Sequence, residues 1–154
     1  MKIKVSPETY AKETIHMAEY CGLLLVSGRV GRANVMTIGW GLIGPLWGKP
    51  FFIVAVRPSR YTYKFIEEVG DFTVNVPRVG MERVVTYCGT VSGRDHDKFG
   101  EMNLTIEPSK YVNSPIISEC VVHYECKVVY KTRVVPNLLP EEILSTCYPA
   151  DDYH

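Results

Sequence analysis

This chain has no surplus of charge, no long apolar run and no closely paired cysteines. Its 154 residues carry 17 basic and 17 acidic side chains, for a formal net charge of zero. That balance excludes the broad electrostatic pull that draws proteins to nucleic acid or to an anionic membrane, and it removes one barrier to self-association. No stretch approaches the ~18 apolar residues of a membrane span, and the opening MKIKVSPETYAKE lacks the apolar run of a secretion signal. A cytoplasmic protein without nucleic-acid or membrane partners is the expectation. The five cysteines, Cys21, Cys88, Cys120, Cys126 and Cys147, are scattered and contain no C-x-x-C pair, which fits reduced thiols rather than a disulfide framework. In CVVHYEC, an extended strand puts Cys120 and Cys126 on one face and His123 on the other, so the three cannot close on one metal ion.

Two nucleotide-binding motifs are also missing their context. GWGLIG, residues 39–44, has the spacing G-x-G-x-x-G. The following PLWGKP carries Pro45, Gly48 and Pro50, which forbid the helix whose N-terminus would hold a dinucleotide pyrophosphate. CGTVSGRDHDKF lacks the Walker spacing, which excludes a P-loop. There is no repeat, low-complexity tract or linker, and the length suits a single domain over residues 1–154.

What is present is a series of short strands and helices. The pattern predicts a helix over 10–20, strands over 22–30 and 34–40, and a connection through GLIGPLWGKP. FFIVAVRP, residues 51–58, is apolar on both faces and reads as a central strand. A helix over 59–69 stops at Gly70, followed by the alternating strand DFTVNVP. Helices follow at GMERVVTYCGT and from GRDHDKFGE. In SECVVHYECKVVYKTRV, Cys120, Val122, Tyr124, Cys126, Val128 and Tyr130 alternate inward while Glu119, His123, Glu125 and Lys127 face out. PNLLPEEILSTCYP supplies a turn and a short helix. Together these imply a mainly antiparallel β-domain, a barrel in form.

Three segments carry possible chemistry. NVMTIGW sets Asn34 and Thr37 in an otherwise apolar strand, where a turn residue and an edge hydroxyl are the plain alternative. RPSRYTYKF places Ser59, Tyr61 and Thr62 at a helix start beside Arg57 and Arg60. Free N–H groups, hydroxyls and guanidinium charge make a phosphate site, although simple N-capping by Ser59 would explain the serine as well. CGTVSGRDHDKF offers a donor-rich loop with Thr90, Ser92 and Gly93, and a lysine, Lys98, able to reach an anion. A solvated turn is its alternative.

In order along the chain, NVMTIGW, RPSRYTYKFIEEVGDFTVNVP, CGTVSGRDHDKF and ECKVVYKT make the sequence resemble the flavin reductase-like proteins, in particular their flavoredoxin-like branch. The resemblance implies a six-stranded antiparallel split β-barrel of Greek-key form with short peripheral helices, a non-covalent FMN, and a homodimer with flavin near the interface. It places Asn34, Met36 and Thr37 along the isoalloxazine and ribityl chain, and Val56 and Arg57 beside the ring. Ser59, Tyr61, Thr62, Ser92, Gly93 and Lys98 would surround the phosphate. Members that use NAD(P)H commonly carry a Gly-Asp-His or Gly-Asp-Ser-His pattern near the nicotinamide. Here DDYH stands in the related place, leaving His154 and His123 as candidate nicotinamide clamps and Trp40 as a residue that could cover the flavin. The resemblance also implies at least one strand beyond His154. Three functions are open at this point: an NAD(P)H-dependent flavin reductase-like enzyme, an FMN electron carrier reduced by a redox protein partner, and an FMN-binding module without turnover.

Overall fold

The computed structural model describes residues 2–154, and its architecture follows from the run Leu23-Leu24-Leu25-Val26. Side chains alternate across a strand, so a run apolar at every position must be covered on both faces. These residues open β1 (Leu23–Arg29), which pairs with β2 (Arg32–Ile38) on one side and β5 (Asp71–Val76) on the other. The last strand of the sheet, β8 (Val122–Lys127), lies beyond β5, giving the antiparallel order β2-β1-β5-β8. Leu24, Val26 and Val35 face one core, with Val85 and Cys88 from α3 (Glu82–Thr90) and with Leu104, Ile117 and Cys120. Leu23, Leu25, Met36 and Ile38 face the other, with Phe72, Val74 and Val76 from β5. Met17 and Ala18 of α1 (Ala11–Tyr20) pack against that second core.

The segment read as a connection forms a hairpin instead. Strand β3 (Gly41–Leu46) pairs along its length with β4 (Lys49–Val54), and Pro45 faces Pro50. The two-residue loop holds Trp47 at φ 49° and Gly48 at φ 70°. Two successive positive φ values are the geometry of a turn that matches strand twist. Glycine adopts it freely, whereas tryptophan rarely does, so Trp-Gly gave no turn signal. Strand β4 pairs only with β3. The interior strands of the main sheet are β1 and β5; β4 leans on that sheet through side chains, such as Phe52 on Tyr124 with ring centroids 5.3 Å apart.

The two-stranded β6–β7 ladder (Ile106–Glu107, Ile116–Ile117) makes eight strands in three antiparallel sheets among the described residues. The expected antiparallel β-domain with short helices is thus found, but not the six-stranded split barrel: the strands number eight, lie in separate sheets and close no barrel. Along the seam between β4 and the extended segment after β8 lies an apolar groove of about 620 Å³, lined by Phe52, Val54, Val56, Ile66, Phe72 and Val128 among others. No helix among the described residues is long and apolar enough to cross a membrane, and no group of three or more metal-ligating side chains is present among them.

His123 is not solvated on an outer face. Its Nδ1 lies 2.9 Å from Asn75 Oδ1, while its Nε2 is buried without a partner. Burial, reinforced by the charge of Lys2, pushes its pKa down to about 4, against an opposing pull from Glu107. A depressed histidine pKa means that the unfolded chain binds the proton more readily. Stability is then full above pH 6.5, the unperturbed value, and falls as pH drops through the folded value near 4. The expected loss over that window is on the order of 2 kcal/mol once solvent screening of this part-exposed ring is allowed for. Urea midpoints measured from pH 7 to pH 4 should decline in the native protein and decline less in His123→Gln. Parallel declines in the two would show that other groups govern acid stability.

Candidate functional site

The site forms where three pieces of chain meet: the outer end of β2, the start of α2 (Tyr61–Val69), and the loop between α3 and α4 (Lys98–Glu101). Helix α2 is amphipathic, burying Thr62 and Phe65, and ends at Gly70 in the left-handed conformation. Its N-cap, Arg60, makes no side-chain capping bond. An uncapped helix start presents free N–H groups and the positive end of the helix dipole, both suited to an anion.

Asn34 sits beneath this start, buried, and donates from Nδ2 to Thr62 Oγ1 at 2.8 Å. Gly93 closes the arrangement from the loop. A Cβ there would stand 1.9 Å from Asn34 Oδ1 and 3.0 Å from the Tyr61 ring, so only glycine lets the loop approach. Three arginines flank this helix start. Arg57 lies beyond the end of β4, Arg60 stands at the N-cap position of α2, and Arg94 donates to the Ser59 carbonyl at 3.2 Å with its Cζ 5.2 Å from the Tyr61 ring centroid. None of the three is in an ion pair among the described residues.

Several expected phosphate donors are committed to the protein itself. Lys98 is buried and donates to the carbonyls of Val35 at 3.0 Å and Cys88 at 2.8 Å. Burial holds its pKa below the usual lysine range, with the Arg60 charge adding and Cys88 opposing. Thr37 donates to the Val85 carbonyl at 2.5 Å, and the Thr62 hydroxyl accepts from Asn34. Ser92 accepts from the Arg94 N–H at 3.2 Å and so shapes the loop. These residues fix the walls; Arg60 and Arg94 are exposed, while the half-buried Arg57 and the Ser59 hydroxyl bond the Cys147 carbonyl and the Asp152 carboxylate.

Beside the α2 start opens a cleft of about 220 Å³ lined by Met36, Thr37, Trp40, Arg57, Arg60 and His154 among others. Val56 is not on it. Alternation along the extended chain turns Val56 into the apolar groove, while its neighbours Ala55 and Arg57 line the cleft. The two histidines likewise part: His154 lines the cleft and packs its ring 5.2 Å from Trp40, whereas His123 lies within the main sheet. Burial, then the charge of Arg57, holds the His154 pKa below its ordinary value. The run from Gly39 to Gly44 passes from β2 into β3 with no helix after it, so its glycine spacing is no dinucleotide turn. Sequence reading missed Arg94, although it adjoins Gly93, and missed Tyr148 and Asp152, which nothing in the local pattern marks.

A family model described as a flavin reductase like domain matches residues 20–137. An uncharacterized protein of Archaeoglobus fulgidus is 40% identical over 122 residues, which cover 76% of this chain and 67% of that protein. Among solved structures, the flavoredoxin of Desulfovibrio vulgaris (Miyazaki F) is 31% identical with a TM-score of 0.67, over 72% of this chain and 61% of that one. An FMN-binding domain of a flavin reductases-like enzyme from Shewanella baltica OS155 has a TM-score of 0.65 over 88% of this chain and 68% of its own. At 20% identity, that last likeness is one of fold. The match thus spans between 61% and 68% of the length of these three proteins.

Proposed function

The chain belongs to the flavin reductase-like family, and from that premise we propose that it binds FMN non-covalently and acts as an oxidoreductase, passing electrons from NAD(P)H to flavin or another acceptor. The observation that carries this reading is the start of α2, a helix end without a side-chain cap that is flanked by three arginines in no ion pair among the described residues. FMN ends in a phosphomonoester, whose charge near neutral pH is about −1.5 to −2. Arginine forks and helix N–H groups are the donors such a group takes. The residues present fit it: Arg57, Arg60, Arg94 and Ser59 would hold the phosphate, over walls set by Asn34, Thr62 and Gly93. Met36 and Trp40 would border the flavin ring along the cleft. When bound, FMN supplies the redox chemistry. The protein's part is to fix the phosphate end, exclude water from one side of the cleft with Trp40, and leave a face open to the electron donor.

A second reading, a flavoredoxin-like carrier reduced by a protein partner, is favoured by a specific contact. His154, the cleft residue suited to clamp a nicotinamide, already has its Nδ1 2.8 Å from the Tyr148 hydroxyl and its ring against Trp40. Anaerobic absorbance of the FMN-loaded protein separates the readings. Bleaching by NADH or NADPH is the expected result. Bleaching only by a reduced redox protein would transfer the function to the carrier, and bleaching by dithionite alone would leave a binding module.

We also propose a homodimer. Leu42, Trp47 and Ile53 on the β3–β4 hairpin are 69%, 68% and 51% exposed, an apolar surface of the kind that marks an interface. Light scattering of flavin-loaded protein should give twice the chain mass of 17.4 kDa, and a monomer would contradict it.

A further inference from the structure

Residues 147–154 engage two of the donors assigned above to the phosphate. Ser59 Oγ donates to the Asp152 carboxylate, and Arg57 donates to the Cys147 carbonyl at 2.6 Å, at the end of α5 (Glu141–Cys147). The Arg57 guanidinium also lies against the Tyr148 ring, 5.3 Å from its centroid. His154 lies over Trp40, and its main-chain carbonyl accepts from the Val134 N–H at 2.8 Å. Two donors suited to a phosphomonoester, the Ser59 hydroxyl and the Arg57 guanidinium, are thus taken by oxygens of this chain. One of those oxygens is anionic, and it is held by the residue just before the N-cap of α2, a helix with no side-chain cap.

We propose that residues 147–154 form an autoinhibitory strap, in which Asp152 takes the Ser59 hydroxyl and the Cys147 carbonyl takes the Arg57 guanidinium, so that the strap and a bound phosphomonoester compete for the same donors. This inference rests on the FMN reading. A carboxylate carries a single charge, whereas a phosphomonoester carries nearly two and has three acceptor oxygens. The bound ligand therefore displaces the strap, but the protein must first be open, and the apparent affinity falls by the open fraction. The contacts of His154 with Trp40 and Tyr148 tie the strap to the cleft, so displacement also uncovers the face a donor would approach.

Three measurements on the full chain test this. FMN titrated into the native protein and into Asp152→Asn should bind about tenfold more tightly to the variant, the loss of one charge-assisted contact from the closed form. Asp151→Asn, whose carboxylate bonds only Tyr153, should match the native protein. Amide hydrogen exchange at Val134 should quicken when FMN binds the native protein, because the N–H loses the His154 carbonyl. Equal FMN affinity in native protein and Asp152→Asn overturns the strap alone. So does a tighter variant in which Val134 stays protected in the FMN-loaded native protein, since Asp152 would then act only by its charge. If neither protein binds FMN, the FMN reading fails, and the strap fails with it.

Discussion

Replacing Arg60 and Arg94 together by glutamine should lower FMN affinity by about a hundred- to ten-thousand-fold. Each guanidinium is exposed and outside any ion pair, and a hydrogen bond to a charged group is worth roughly 1.5–3 kcal/mol, which over two residues gives that range. Since substitutions of exposed side chains usually change stability by less than about 0.5 kcal/mol, and the hydrogen bond removed, from Arg94 to the Ser59 carbonyl, is itself exposed, the melting temperature should hardly move. Arg94 is the more informative of the pair, because its remaining bond, to the Ser59 carbonyl, keeps it over the helix start. Titration of FMN against flavin fluorescence gives the affinity, and circular dichroism gives the fold. An affinity within threefold of native, on an intact fold, would mean that the phosphate lies elsewhere.

Asp71→Ala should cost about 3–5 kcal/mol of stability, a large share of the 5–15 kcal/mol typical of a domain. The carboxylate is buried, 4% exposed. It accepts from the N–H and Nδ2 of Asn113, both at 2.9 Å, and from the N–H and Oγ of Ser114 at 2.9 and 2.5 Å. Removing it leaves those donors without an acceptor, each at roughly 1–3 kcal/mol where buried. Burial alone would raise the Asp71 pKa, but the bonds from Ser114 and Asn113 outweigh it and hold the group below the usual carboxylate range. Its contribution is therefore present above the unfolded value near 3.8 and is lost as pH falls through the lower folded one. Urea denaturation at pH 7 measures the cost directly. A loss below 1 kcal/mol would show that water replaces the carboxylate.

Some of this structure was legible in the residues and some was not. The run Leu23 to Val26 and the alternation Phe72, Val74, Val76 marked strands because packing demands a regular period, and both runs are in the core. Gly70 marked the end of α2 because only a left-handed residue closes it in this way. The hairpin escaped notice because its turn is Trp-Gly, and its strands hold Pro45 and Pro50 in mutual register. Prolines that break a central strand are tolerated on a two-stranded edge. The apolar run Phe51 to Val56 misled for a related reason: apolar on both faces suggests a strand covered on both, whereas here Phe52 packs on Tyr124 of the main sheet and Ile53, on the other face, is 51% exposed.

The site shows the same limit. A polar residue in an apolar strand, such as Asn34, signals a demand for a partner without naming it. In Asn34 the partner is the Thr62 hydroxyl; in Thr37 and Lys98 the partners are main-chain carbonyls. Composition cannot distinguish such inward bonds from bonds to a ligand. Arg94 and Asp152 lie far from Ser59 in sequence, and only the folded chain brings them to it.

The most direct measurement is calorimetric titration of the ligand-free protein with FMN and with riboflavin, which has the same ring system and lacks the phosphate. If the start of α2 is the phosphate site, FMN binds at one per chain and riboflavin at least a hundredfold more weakly, the worth of two or more charge-assisted hydrogen bonds. Equal affinity for the two flavins, or binding of neither, would contradict the assignment.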